Sequence, residues 1–364
     1  MRVLFLSDTH LGIDLPARPR VERRRRGEDF FRSFERALAP AFAGEVDVVL
    51  HGGDLLYRSR VPPWLAEAAL APLRRVASSG IPVLVVPGNH ERARIPCPLL
   101  ALHPNLHVFD RPCTFTLEAR GLRVAFVGFP YAGQVRSRFV SLLAGARSGE
   151  RAADARVLCL HQCIEGATCG PRDFTFRTGE DVIRQVDLPR DLAVVLSGHV
   201  HRHQVLRARG RPSVVYAGSV ERTSFAEAGE TKGVVVLELS AAGLAAIDFR
   251  PLPARPMLIR PIAVAGLGAA QVRSRLAQVL EGTPPDAVVQ LRIEGTPAPG
   301  VGAVLGAAAV RDLAGHRNVE LAWTDSVPTS WGTQAARSQV RNPARPARVL
   351  VPTPTPGAEA EEGS

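Results

Sequence analysis

Short apolar runs alternate with amphipathic stretches along the first third of the chain. Residues 2–6, 46–50 and 81–86 are almost wholly apolar and rich in valine and leucine. Runs of that length and make-up read as strands covered on both faces. Between the first two, Phe30, Phe31, Phe34 and Leu38 recur at helical spacings from Gly27 onward. Between the second and third, residues 62–78 predict another helix, with Pro63 near its start, where a missing N–H costs nothing. The order strand–helix–strand–helix–strand implies right-handed crossovers and a parallel sheet.

Beyond residue 105 the texture is strand and turn. Residues 106–108, 114–118, 122–127, 157–160, 192–196, 213–216 and 234–239 predict strands, and their number predicts a second sheet packed on the first. Near Pro251 the proline-rich stretch RPLPARP marks a joint. A strand at 257–264, a helix at 270–280, a strand at 287–293, a helix at about 302–314 and a strand at 319–323 then predict a small α/β unit. From about Asp325 the chain is rich in Ser, Thr, Pro and Arg, a composition too poor in apolar surface to fold alone. The expected division is 1–252, 253–325 and a disordered tail at 326–364.

The strand ends carry the chemistry. Asp8 and His10 follow the first strand, Asp54 the second (HGGD) and Asn89 with His90 the third (PGNHE). His161 ends the run at 157–160, and His199 and His201 follow the run at 192–196 (SGHVH). Carboxyl ends of strands in an α/β sheet lie along one edge, where sites form. A lone histidine is most often a hydrogen-bonded core residue. Five separate strand ends that each deliver Asp, Asn or His are a different matter.

Carboxylate, amide and imidazole ligands suit a divalent ion such as Mn²⁺, Fe²⁺ or Zn²⁺ rather than a thiolate site. Seven ligands exceed what one ion needs and fit two, with one carboxylate shared. The expected pairing is Asp8, His10, Asp54 and His201 on one ion, and Asp54, Asn89, His161 and His199 on the other. Two adjacent ions activate water and flank a phosphate during in-line displacement. His90 follows a ligand, so its side chain points elsewhere, and it is the expected proton donor to the leaving group. His51, His103, His107, His203 and His316 lack such a setting and read as structural or surface residues, with His203 nearest to a supporting role.

Composition adds three points. The net charge of +10 and a pI near 10.5 point to a polyanionic partner such as DNA. Arg23, Arg24, Arg25 and Arg26 stand shortly after the Asp8–His10 loop, placed to meet nucleic-acid phosphates. The cysteines at 97, 113, 159, 163 and 169 form no CxxC pair and read as reduced thiols. No apolar run has transmembrane length, and none at the start has the form of a signal peptide, so the expected location is the cytoplasm, off the membrane.

The motifs DTH, GGD, GNHE, the later His161 and GHVH resemble the calcineurin-like metallophosphoesterase superfamily. DTHLG, RGEDFFRSFERAL, HQCIEGAT and YAGSVERTSFAEAGETKGVVVLEL further resemble the Mre11/SbcD family of DNA repair nucleases. That resemblance implies two packed mixed β-sheets flanked by helices, followed by a small capping domain. It implies two Mn²⁺ ions on Asp8, His10, Asp54, Asn89, His161, His199 and His201, with His90 acting at the transition state. The implied activity is hydrolysis of DNA phosphodiester bonds, as an exonuclease or endonuclease. A small-nucleotide phosphodiesterase or phosphatase is the alternative, and an inactive DNA-binding subunit a more distant one. Implied partners are DNA and a Rad50/SbcC-type ATPase, and a homodimer is compatible with the reading. There are two departures. Tyr57 stands where that family commonly has a histidine, three residues after the shared Asp, and is the expected neighbour of the nucleic acid. No clear amphipathic helix follows Trp323 to grip an ATPase.

Overall fold

The computed structural model describes residues 1–15, 26–91, 103–315 and 317–324. Strands and helices are numbered along the chain. The first sheet has β1 (Arg2–Leu6), β2 (Val48–His51), β3 (Val83–Val85) and β4 (Leu106–Val108) running parallel. The antiparallel strands β15 (Gly233–Ser240) and β16 (Gly243–Pro251) extend it beyond β1, giving the order β16-β15-β1-β2-β3-β4. The second sheet holds β5 (Cys113–Ala119), β6 (Leu122–Gly128), β7 (Ala155–His161), β12 (Val194–Gly198), β13 (Gln204–Leu206) and β14 (Ser213–Tyr216) in the order β13-β14-β12-β7-β6-β5. Its four central strands are parallel and its two edges antiparallel. Four two-residue strands, β8 (Cys163–Ile164), β9 (Thr168–Cys169), β10 (Phe174–Thr175) and β11 (Val182–Ile183), fill the loop between β7 and β12.

The two sheets stack face to face. Val3, Phe5, Val48, Leu50 and Leu84 of the first meet Val124, Phe126, Val157, Val194 and Leu196 of the second. On the outer face of the first sheet, α1 (Gly27–Ala37) and α3 (Pro63–Ser78) seat Phe30, Phe34, Leu65, Leu70 and Leu73. The short α2 (Ala39–Phe42) lies between α1 and β2. On the outer face of the second, α4 (Val135–Arg147) buries Val135, Phe139, Leu143 and Ala146. The result is four layers, α/β/β/α. Each fully buried large apolar side chain contributes about 1.5–3 kcal/mol, so three cores hold the strand ends rigidly.

Residues 257–323 have a sheet and core of their own. β17 (Met257–Ala263), β18 (Val288–Glu294) and β19 (Asn318–Trp323) are parallel, and α5 (Ala269–Glu281), α6 (Val301–Val304) and α7 (Ala307–Ala314) cover them. Arg255 ties this unit to the first. Its guanidinium reaches Asp29 on α1 (2.8 Å) and Asn318 on β19 (2.7 Å).

Three differences from the sequence reading stand out. The helix expected at about 302–314 is two, because Gly306 takes an extended conformation between them. α4 and β16 were not expected at all. α4 has its apolar residues four, four and three apart, among arginines and serines that mask the period. β16 is an edge strand, with polar and apolar residues mixed and only partly buried. The expected tail at 326–364 lies outside the described residues, as do Cys97 and His316. Cys113, Cys159, Cys163 and Cys169 are free thiols. Among the described residues no helix is long and apolar enough to cross a membrane.

Candidate metal centre

β1, β2 and β3 are neighbours in one sheet, and β7 and β12 are neighbours in the other. Their carboxyl ends meet along one rim, and all eight residues expected there arrive together. Backbone bonds stitch the loops to one another: Asp8 N–H donates to Gly53 O (2.9 Å) and His10 N–H to Asp54 O (3.0 Å). Asp8, His10, Asp54 and His199 all have left-handed backbones, with φ of 53°, 45°, 51° and 83°. Such conformations cost about 1–3 kcal/mol each and persist only where surrounding structure imposes them.

Two groups of side chains converge. Asp8, His10 and His201 form one, and Asp54, His161 and His199 the other; Asp54 also joins His10 and His90. Asp54 lies between the groups. Its Oδ1 accepts the His90 N–H (2.9 Å), while Oδ2 is 3.4 Å from His161 Nε2, 3.7 Å from His90 Nε2 and 3.9 Å from His10 Nε2. Asn89 Oδ1 lies 3.1 Å from His161 Nε2 and 2.9 Å from His199 Nδ1. His10 Nε2 and His201 Nε2 are 3.0 Å apart.

The donor chemistry fits divalent ions. His161 Nδ1 donates to Gly52 O (2.7 Å), His90 Nδ1 to Tyr57 O (2.5 Å) and His201 Nδ1 to Glu227 Oε1 (3.0 Å). When neutral, each of these rings therefore turns an Nε2 lone pair inward, the second-sphere pattern of ligating histidines. Lone pairs that face oxygen and one another are satisfied by a cation. Within each of the two groups the potential ligand atoms all lie within 4.8 Å of one another, so one ion could be held by each. Close approach of glycine backbone makes room: a Cβ on Gly53 would stand 2.3 Å from His161 Nδ1, and one on Gly88 2.2 Å from Asp54 Oδ1.

The electrostatics follow from burial and these contacts. Burial alone would raise the Asp54 carboxyl, but His161, His10 and His90 outweigh it and hold it well below the usual range. Burial likewise opposes a charge on His161, yet Asp54 prevails and lifts that imidazole to about 9. His201 is raised in the same way, its bond to Glu227 and the Asp8 charge prevailing over burial. Burial, then neighbouring imidazoles, lowers His10 well below its ordinary value and His199 to about 3.

The sequence pattern of the calcineurin-like phosphoesterase family matches residues 1–203. The chain belongs to that family. Curated relatives agree. The chain is 32% identical over 304 residues to "DNA double-strand break repair protein Mre11" of Haloferax volcanii, covering 81% of this chain and 61% of that protein. It is 29% identical over 303 residues to the protein of that name from Methanosarcina mazei, covering 81% and 45%. For that of Aeropyrum pernix the figures are 26% over 268 residues, covering 70% and 62%. The phosphoesterase thus spans roughly half to three-fifths of the length of these relatives.

Other expected residues fall differently. Tyr57 packs its ring against Gly12, in the loop after His10, and offers its carbonyl to His90. Arg23, Arg24 and Arg25 lie outside the described residues. Arg26 departs from its expected place at the phosphates. Its guanidinium is turned inward, 2.6 Å from Arg222 O and 3.7 Å from Glu221, with its side chain only 13% exposed. A pair of acceptors almost two hundred residues away draws it into the protein, which no local pattern reveals. His51 is a core residue, bonded to Thr9 Oγ1 (3.2 Å) and Gly53 N–H (3.2 Å). His203 stacks on Phe249 and bonds Tyr216 O (2.8 Å), which holds it to the sheet edge.

Four residues beside the centre escaped the sequence reading. Tyr131 sets its ring 5.7 Å from that of His199. Glu227 and Lys232 lie behind His201. Glu91, the last residue of GNHE, is buried beneath the loops, and its carboxylate accepts the N–H groups of Asp54, Gly88 and Leu56, each at 2.9 Å. Burial, then the Asp54 charge, pushes Glu91 up to about 7, against the pull of those N–H bonds. Glu91→Ala would orphan three buried donors, each worth about 1–3 kcal/mol. Urea unfolding in chelator is expected to show at least about 3 kcal/mol lost, with Glu91→Gln in between; a loss below 1 kcal/mol would deny Glu91 this role.

Proposed function

We propose that the phosphoesterase is a two-metal phosphodiesterase that cleaves DNA, with Asp8, His10, Asp54 and His201 on one ion and Asp54, Asn89, His161 and His199 on the other. The observation that carries it is the convergence of inward-facing lone pairs on both sides of the Asp54 carboxylate. Bound divalent ions, Mn²⁺ in this proposal, would lower the pKa of water and stabilise both flanks of the phosphate. The protein supplies position and a proton. Tyr57 O orients His90, which at 36% exposure is more open than His201 at 28% and His161 at none. The mouth therefore lies at His90, where Nε2 can meet the leaving oxygen of the nucleotide. The net charge of +10 and the printed names of the relatives favour DNA over a small nucleotide. A partner ATPase of Rad50/SbcC type belongs to the same proposal, on the strength of the relatives' printed names rather than of any helix legible after Trp323.

The test reloads metal-stripped protein with Mn²⁺ and compares single-stranded DNA, duplex DNA, a cyclic nucleotide and a bis-aryl phosphodiester. DNA is expected to have the highest kcat/KM, and its binding to weaken with a log–log salt slope of about −0.7 to −0.9 per phosphate contacted. Preference for the cyclic nucleotide would overturn the substrate, and no hydrolysis of any would overturn the enzyme.

Loading must also expel protons. The imidazole of His161, at about 9, is charged in the metal-free protein near neutrality and that of His201 is raised by Glu227 and Asp8, while His10 and His199 are already neutral. Apparent Mn²⁺ affinity should rise with pH up to about 9, by about tenfold per pH unit for each proton displaced. Calorimetry in buffers of different ionisation enthalpy counts those protons. A pH-independent affinity between 7 and 9 is the result that contradicts it.

A further inference from the structure

Of 45 basic residues one is a lysine, and it is buried. Lys232 directly precedes β15 and is 2% exposed. Its Nζ lies 2.8 Å from the His201 carbonyl oxygen, 2.7 Å from Glu230 Oε2 and 2.7 Å from Glu227 Oε2. An ammonium has three N–H bonds, and here each has its own oxygen. A compact, tetrahedral point charge suits three acceptors converging on one atom; the flat fork of an arginine does not.

Glu227 turns its other oxygen, Oε1, to His201 Nδ1 at 3.0 Å, and Thr223 Oγ1 donates to that same oxygen. Lys232 therefore holds His201 twice, by the backbone directly and by the ring through Glu227. The opposite half of the centre has separate supports. The His161 ring is held by Gly52 O, and Asn89 Oδ1 faces His161 and His199; among the described residues no bond from Lys232, Glu227 or Glu230 reaches either ring.

We propose that Lys232 is a positioning residue for one ion of the pair: by fixing the backbone and ring of His201 it sets the affinity of the Asp8–His10–His201 group and leaves the Asn89–His161–His199 group alone. This rests on the two-ion reading above. Outer partners of metal ligands typically change affinity about 10–100-fold when removed.

The test is a Mn²⁺ titration of the metal-stripped full chain, with free Mn²⁺ followed by electron paramagnetic resonance and the melting temperature recorded in chelator. Wild type should bind two equivalents. In Lys232→Met one equivalent should weaken about 10–100-fold while the other stays within about twofold. If the loss of the ammonium between Glu227 and Glu230 prevents folding, Glu227→Gln/Lys232→Met removes an opposite pair together, and Glu230 keeps Arg202. It still frees the His201 carbonyl, and should show the same one-sided loss. The proposal is overturned if a variant that melts with wild type binds both equivalents normally, or loses both alike. Fewer than two equivalents in wild type would instead overturn the two-ion reading, and this inference with it.

Discussion

Asp54→Asn is expected to lose turnover and metal together. Asparagine keeps the shape of aspartate and tolerates the left-handed backbone found there (φ 51°). What it removes is the charge between the two groups, 3.4 Å from His161 Nε2 and 3.9 Å from His10 Nε2. A neutral amide also points hydrogens at lone pairs. Losing several kcal/mol of charge stabilisation corresponds to about a thousandfold or more in kcat. Metal analysis should find fewer than two ions per chain. Without metal the variant should melt below wild type near neutral pH, because it loses the pairing that holds the Asp54 carboxyl low and lifts the buried His161 imidazole to about 9. Normal turnover with two tightly held ions would remove Asp54 from the shared position.

His90→Asn should separate chemistry from metal binding. The His90 Nε2 is 3.7 Å from Asp54 Oδ2, and its ring meets that of His10 edge to face at 5.0 Å. It is the one histidine of the cluster that the proposed pairing leaves off both ions. A positioned acid contributes typically about 10²–10⁴-fold, so kcat on DNA should fall by about that much with both ions retained. The leaving oxygen of a nucleotide needs a proton far more than an aryl oxide does, so the loss on a bis-aryl phosphodiester should be much smaller. Equal losses on both substrates would deny His90 the role of acid. Loss of one ion would make it a ligand.

Much of this architecture was legible because its signals are local. A strand covered on both faces must be apolar throughout, so β1, β2, β3, β7 and β12 announce themselves, and the polar residue that stops each run marks the sheet's rim. The same logic located the helices whose apolar faces are clean, α1, α3 and α5. It failed where apolar spacing is diluted, as in α4 and β16, and where one glycine breaks a helix, at Gly306.

By itself, then, the sequence determined the layered α/β class, the eight residues delivered to one rim and their suitability for divalent ions. Only the tertiary structure decided how those residues face one another. Residue type and strand-end position are properties of a few neighbouring residues. Which ring nitrogen looks inward depends on an acceptor brought from elsewhere: Gly52 O for His161, Tyr57 O for His90, Glu227 for His201. The left-handed backbones at Asp8, His10, Asp54 and His199 are likewise imposed by the packed loops. Arg26 turning inward to Arg222 O and Lys232 lying beneath His201 follow from contacts across 196 and 31 residues. Each such contact contributes only about 0.5–3 kcal/mol, too little to leave a periodic mark on the sequence. Together, once three cores have fixed the strands, they are enough to orient every imidazole in the site.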